Sequence, residues 1–208
     1  MQMDATYLRL LANELQSKGV AFKAGLRNDE ISRIERDYEF RFPPDLREFL
    51  QFALPISEGF PNWRAGWIGQ PIIEWEYRTQ IVVGHNLAPI PYQLAQPADG
   101  ICFDIERNGF WTDDWGAKPE DLQRSIVVAR AKLAQLPKLI PIYSHRFIPS
   151  EPCVSGNPVF SVHQTDIIYY GFDLASYFGH EFKVTVPNWA ATKPQEIPFW
   201  SKLAEPTR

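Results

Sequence analysis

Glu30-Ile-Ser-Arg-Ile-Glu-Arg-Asp-Tyr-Glu-Phe-Arg-Phe-Pro-Pro-Asp-Leu-Arg-Glu-Phe-Leu50 reads as two amphipathic helices joined by a short apolar link and a Pro-Pro stop. Ile31, Ile34 and Tyr38 fall on one face at the three- and four-residue spacing of a buried stripe. Asn28 is the expected N-cap, and Asp29 and Glu30 complement the positive end of the helix dipole. Pro43 ends this helix, and Pro44 suits the first position of the next one. Leu46, Phe49, Leu50 and Ala53 form the second stripe. The pattern is one of packing rather than of chemistry.

Upstream, residues 4–18 predict a helix with Tyr7, Leu8, Leu11 and Leu15 on one face and Gly19 as its stop. Downstream, residues 54–70 are loop-like, and residues 71–99 read either as one or two strands or as a helix from Pro71. Ile101 to Glu106, followed by Asn108-Gly109 and Phe110-Trp111, predicts a β-hairpin, because Asn-Gly is a preferred two-residue turn. Pro119 opens a further helix, with Leu122, Ile126, Ala129, Leu133 and Leu136 recurring in steps of four and three. Leu139 to Ile148 reads as a buried strand, and Val159 to Tyr170 as two short strands around Gln164-Thr165. Asp173 caps a last helix carrying Leu174, Tyr177, Phe178 and Phe182, and the Pro- and Trp-rich tail from Val186 lies over the body. Helices first, then strands interrupted by helices, predict the α+β class.

Length allows one large domain, 1–208, that buries roughly 70% of its unfolded surface. The net charge of -4 supplies no basic face, which argues against DNA or RNA as partner. No segment has the length and apolarity of a membrane span. The N-terminus shows no basic start followed by an apolar run, so a cytoplasmic location is expected. Cys102 and Cys153 form neither a metal-ligand spacing nor a redox pair, and read as free buried thiols.

Several residues are candidates for chemistry or binding. In the expected hairpin, Asp104, Glu106, Trp111 and Asp113 share one face, an acidic and aromatic patch for a basic partner unless the return strand frays after Trp111. Gly59-Phe-Pro-Asn-Trp63-Arg64 either displays Trp63 and Arg64 for recognition or folds Phe60 and Trp63 into the core. His145, His163 and Asp166 are the residue types of a transition-metal site, without a local chelating spacing. Ser161 and Cys153 sit in no known nucleophile signature. No Gly-rich phosphate loop is present.

Four segments resemble the SUKH superfamily, the Smi/Knr group of fungal cell-wall synthesis regulators and bacterial immunity proteins. They are Ile34-Glu35 with Phe42-Pro43-Pro44-Asp45-Leu46-Arg47-Glu48-Phe49-Leu50, with Phe42 where a Leu is usual; Gly59 to Arg64; Phe103 to Glu106 with Asn108 to Trp111 and Trp115-Gly116; and Pro137 to Phe182, including His145-Arg146, Gly156 to Val162 and Asp166 to Gly171. The likeness spans most of residues 25–182 and covers 71–99 and both ends weakly. It implies a mixed, largely antiparallel sheet flanked by helices, with a sheet face or cleft used for binding. It also implies a non-enzymatic role, in bacteria the neutralisation of a toxin. The expected site is Trp63, Arg64, Asp104, Glu106, Trp111, His145, Arg146 and His163, without cofactor or metal, and the expected partner is a protein such as a basic toxin domain. The alternatives are a regulatory or scaffold protein of the same fold, and a metal-dependent hydrolase using His145, His163 and Asp166.

Overall fold

The computed structural model describes residues 3–76 and 79–204, with the backbone alone for 70–86, so Tyr77 lies outside the described residues. The class is α+β. Helices α1 (Ala5–Ser17), α2 (Asn28–Tyr38) and α3 (Pro44–Phe52) come first, with strands β1 (Phe22–Ala24) and β2 (Ala53–Pro55) pairing around the last two. Strands β3 (Pro61–Asn62), β4 (Trp67–Glu76) and β5 (Thr79–Pro89) form a second sheet. Then follow α4 (Ile90–Arg107), α5 (Leu122–Leu133), the four-stranded meander β6 (Leu139–Tyr143), β7 (Arg146–Pro149), β8 (Val159–His163) and β9 (Asp166–Gly171), and helices α6 (Leu174–Phe182) and α7 (Trp200–Ala204). Every strand pairing among the described residues is antiparallel. No helix among them is long and apolar enough to cross a membrane.

The meander is covered on both faces. Side chains alternate along a strand, and here alternate positions enter two different cores. Ile140, Ile142, Ile148, Val159 and Tyr170 join the stripes of α1, α2, α3 and α6. Leu139, Phe147, Phe160, Val162, Ile167 and Tyr169 join Ile101 and Ile105 of α4, Ala129 and Leu133 of α5, and Trp200 of α7. A strand buried on both sides carries apolar residues at consecutive positions, which explains the unbroken run Leu139-Ile-Pro-Ile142.

The quoted helical pair folds as expected, with the cap displaced by one residue. Arg27 takes the N-cap position of α2, its N–H donating to Glu30 Oε2 at 2.9 Å, while Asn28 Oδ1 accepts from the Gln51 side chain. Ala53 leaves the α3 stripe and begins β2. Helix α5 begins three residues after Pro119, where Asp121 accepts from the Arg124 N–H at 2.7 Å. Asp173 caps α6 through the Ser176 N–H at 2.7 Å, and the tail lies on the body with Ile197, Phe199 and Trp200 buried. Of residues 71–99, those up to Glu76 and those from Thr79 to Pro89 pair as the antiparallel strands β4 and β5, and the rest are the first half of α4.

The expected hairpin at 101–111 is overturned. Residues 101–107 are the second half of α4, and Asn108-Gly109 is its end: Gly109 is left-handed with φ 71°, and the Phe110 N–H returns to the Asp104 carbonyl at 3.1 Å. Asn-Gly serves a hairpin turn and a helix C-terminus equally, because both need positive φ. The four-residue step from Ile101 to Ile105 belonged to the helix.

Two interior charges set testable stabilities. Arg64 binds Glu30 in a bidentate pair at 2.7 and 3.0 Å and also donates to the carbonyls of Ala24 and Gly25, tying the loop after β3 to the start of α2. Those hydrogen bonds hold the Glu30 pKa down at about 2. Removing Arg64 leaves a carboxylate whose side chain is 8% exposed with the Arg27 N–H at 2.9 Å and the Arg27 guanidinium at 3.8 Å as its remaining partners. Arg64→Ala therefore lowers unfolding free energy by about 2 kcal/mol in urea titration, since the lost hydrogen bonds are charge-assisted and the carboxylate keeps its contacts to Arg27.

Asp45 is 3% exposed. Its burial raises the pKa to about 6, against the N–H donors of Gly156 and Leu46, and the Asp173 carboxylate adds to the rise. The folded state therefore holds the proton more tightly than the unfolded one. Stability from this group is full below the unfolded value near 4 and falls, by on the order of 3 kcal/mol, as pH climbs through 6. Asp45→Asn removes that component of the slope in denaturant titrations between pH 4 and 7.

Candidate protein-binding face

A groove of about 380 Å³ lies between α4 and two tight turns, one joining β6 to β7 and one joining β8 to β9. Tyr92, Asp99 and Phe103 line it from the helix, and His145, His163 and Gln164 from the turns. Helix and turn are locked together in two ways. Asp104 Oδ2 accepts from the Thr165 N–H at 2.8 Å and from its hydroxyl at 2.6 Å, while Oδ1 accepts from the Asn108 amide. Gly100 permits the close approach: a Cβ there would stand 2.9 Å from the Gln164 Cα.

Along α4, Tyr92, Gln96, Asp99, Phe103 and Glu106 follow one another in steps of four, three, four and three, a single helical stripe. It faces outward beside the groove. Tyr92 is 58% exposed and Phe103 45%. Asp99 is open to solvent and paired at 2.8 Å with Arg130 of α5, and exposed Glu106 lies 3.3 Å from Arg107. The stripe thus alternates aromatic and acidic groups.

His145 is open along part of its ring, with Nδ1 3.2 Å from the Ser144 hydroxyl. Burial of the rest of the ring, with the Arg146 guanidinium and the His163 ring nearby, holds its pKa at about 4, below the ordinary histidine value. It is a neutral imidazole at pH 7. In Asp104, burial alone would raise the pKa; hydrogen bonds from Thr165 and Asn108, with His163 nearby, outweigh it and leave the value lowered. Asp104 is an ionised internal clamp.

The expected site residues separate into two groups. His145, His163 and Glu106 come to this face. Trp63 does not: it is 3% exposed, packed edge-on against Phe40 and Phe42. Arg64 is spent on Glu30, and Asp104 on Thr165. Arg146 is buried, donating to Glu181 and Ser161 at 3.0 Å each with its guanidinium 3.7 Å from the Tyr170 ring centre. Trp111 is half-buried, its indole N–H bonded to the Gly116 carbonyl and its ring edge-on to Trp115. Because 101–107 is helical, Asp104, Glu106 and Trp111 share no strand face.

Among the described residues no three His, Cys, Asp or Glu side chains gather as metal ligands, so His145, His163 and Asp166 do not form the set that the hydrolase alternative requires. Both cysteines are free, Cys102 buried and Cys153 exposed, and burial raises both thiol pKa values. A raised pKa suits neither as nucleophile. Tyr92, Gln96, Asp99, Phe103 and Gln164 belong to the face without having been singled out. Their signal was the helical spacing, hidden by Pro97 and Gly100 in mid-helix. Comparison with protein-family models, with curated proteins and with solved structures yields no match.

Asp104→Ala removes both hydrogen bonds to Thr165 and leaves their donors unpaired. It is expected to destabilise the fold by about 2 kcal/mol and to shift the NMR resonances of His163 more than those of His180, which lies on α6.

Proposed function

We propose that this chain is a non-enzymatic protein-binding module whose contact face is the outer stripe of α4 with the His145 and His163 turns. The observation that carries the reading is the pair of exposed aromatics, Tyr92 and Phe103, aligned on one rigid helix beside a groove. Large aromatic side chains dominate interface energies when a partner covers them, and a polar rim sets orientation. Asp99 and Glu106 in that rim favour a basic partner. The residues assembled are suited to holding a surface. Among the described residues no three potential metal ligands gather there.

The resemblance of Phe42 to Leu50, Gly59 to Arg64, Phe103 to Trp111 and Pro137 to Phe182 to the SUKH superfamily supports an immunity-type role. On that reading the partner is a basic toxin domain, met in the cytoplasm and neutralised by occlusion. The regulatory alternative differs only in the partner's identity.

A photo-crosslinking residue at position 103 is expected to capture a basic protein from the native host, while the same group at exposed Val127 of α5 does not. With that partner purified, Tyr92→Ala and Phe103→Ala each weaken binding about tenfold or more, and raising salt weakens it further. Equal capture from both positions, or affinity indifferent to both substitutions, refutes the proposal.

A further inference from the structure

The opposite flank of α4 carries a second groove, of about 330 Å³, between α4, α5, the start of β6 and α7. Its wall is apolar: Leu94, Ala98, Leu133, Leu136 and Trp200 surround it. It opens into the same core that backs the four-stranded sheet. The volume lies within the range of small-ligand sites. Alanines at 95, 98 and 134 leave room that larger side chains would occupy. Trp200, on the floor, is fixed by its indole N–H, which donates to the Pro137 carbonyl at 2.9 Å.

Two cations stand on the lining, Arg130 and Lys138. Neither is deeply committed. The Arg130 side chain is 54% exposed and reaches Asp99 through one nitrogen at 2.8 Å. Lys138 is 45% exposed, 3.0 Å from the Tyr38 carbonyl and 3.4 Å from Glu39. Ion pairs that open to water are worth little, so an incoming anion can displace either partner at small cost. Among the described residues no carboxylate lines the groove. We infer that this groove is a binding site for a small amphipathic carboxylate, with its hydrocarbon tail against Leu133 and Trp200 and its head at Arg130 and Lys138.

Octanoate is the probe, titrated into the full chain at low salt and followed by calorimetry and tryptophan fluorescence, with octanol in parallel. The expected result is saturable one-to-one binding of octanoate, weakened about tenfold in Arg130→Gln, since a charge-assisted hydrogen bond is lost. Octanol binds more weakly than octanoate and is indifferent to that change. Ala98→Leu fills the groove and abolishes binding; Ala134→Met does the same from α5 should the first variant unfold, with circular dichroism reporting the fold. Absence of saturable octanoate binding overturns the inference, as does equal binding by a folded groove-filling variant. Equal affinity of octanol and octanoate overturns the assignment of the head group. None of these readouts involves the protein partner, so this site and the proposed binding face stand or fall separately.

Discussion

Burial of the β6–β9 meander on both of its faces is the constraint on which the remaining architecture rests. A sheet that gives alternate side chains to two different cores needs a helical layer on each side. The chain supplies them in blocks: α1 to α3 with α6 on one face, α4, α5 and α7 on the other. Phe147 beside Ile148, and Val159 beside Phe160, each send neighbouring side chains into opposite cores. Truncating such a residue to alanine would cost several kcal/mol, a sizeable part of the total stability of an ordinary domain.

The candidate face follows from that arrangement. Because α4 must pack its Ile101 and Ile105 side onto the sheet, its opposite stripe faces outward. The Asp104 clamp and the missing Cβ of Gly100 then bring the β8–β9 turn against the helix. His163 and His145, on two turns at one end of the sheet, thus come to lie beside a helix distant from them in sequence. The exposed aromatics sit on a regular element held by core packing, and ordering them further would cost little entropy.

Legibility tracked the strength of local signals. Helices α1, α2 and α3 were readable because their stripes repeat without interruption, and β8–β9 and the Asp173 cap because turn and cap residues stood where the pattern changed. The second half of α4 was misread for a physical reason: Asn108-Gly109 satisfies two geometries, and Pro97 with Gly100 weakened the helical pattern before it. Trp63, Arg64 and Arg146 are the side-chain types found at interfaces, yet each is equally suited to an interior role. Sequence carries no statement of which neighbour, Glu30 or Glu181, will claim the guanidinium. His145 and His163, eighteen positions apart, meet at one groove only because two separate turns lie at the same end of the sheet, which no local spacing announces.

The Asp99–Arg130 pair has a consequence that reaches beyond local stability. Its carboxylate borders the groove on one flank of α4, and its guanidinium borders the groove on the other. The pair works like a beam balance across the helix: a negative charge arriving beside Arg130 loosens its hold on Asp99, and a positive charge arriving beside Asp99 loosens its hold on Arg130. Replacing either residue therefore alters the charge presented on both flanks of the helix at once.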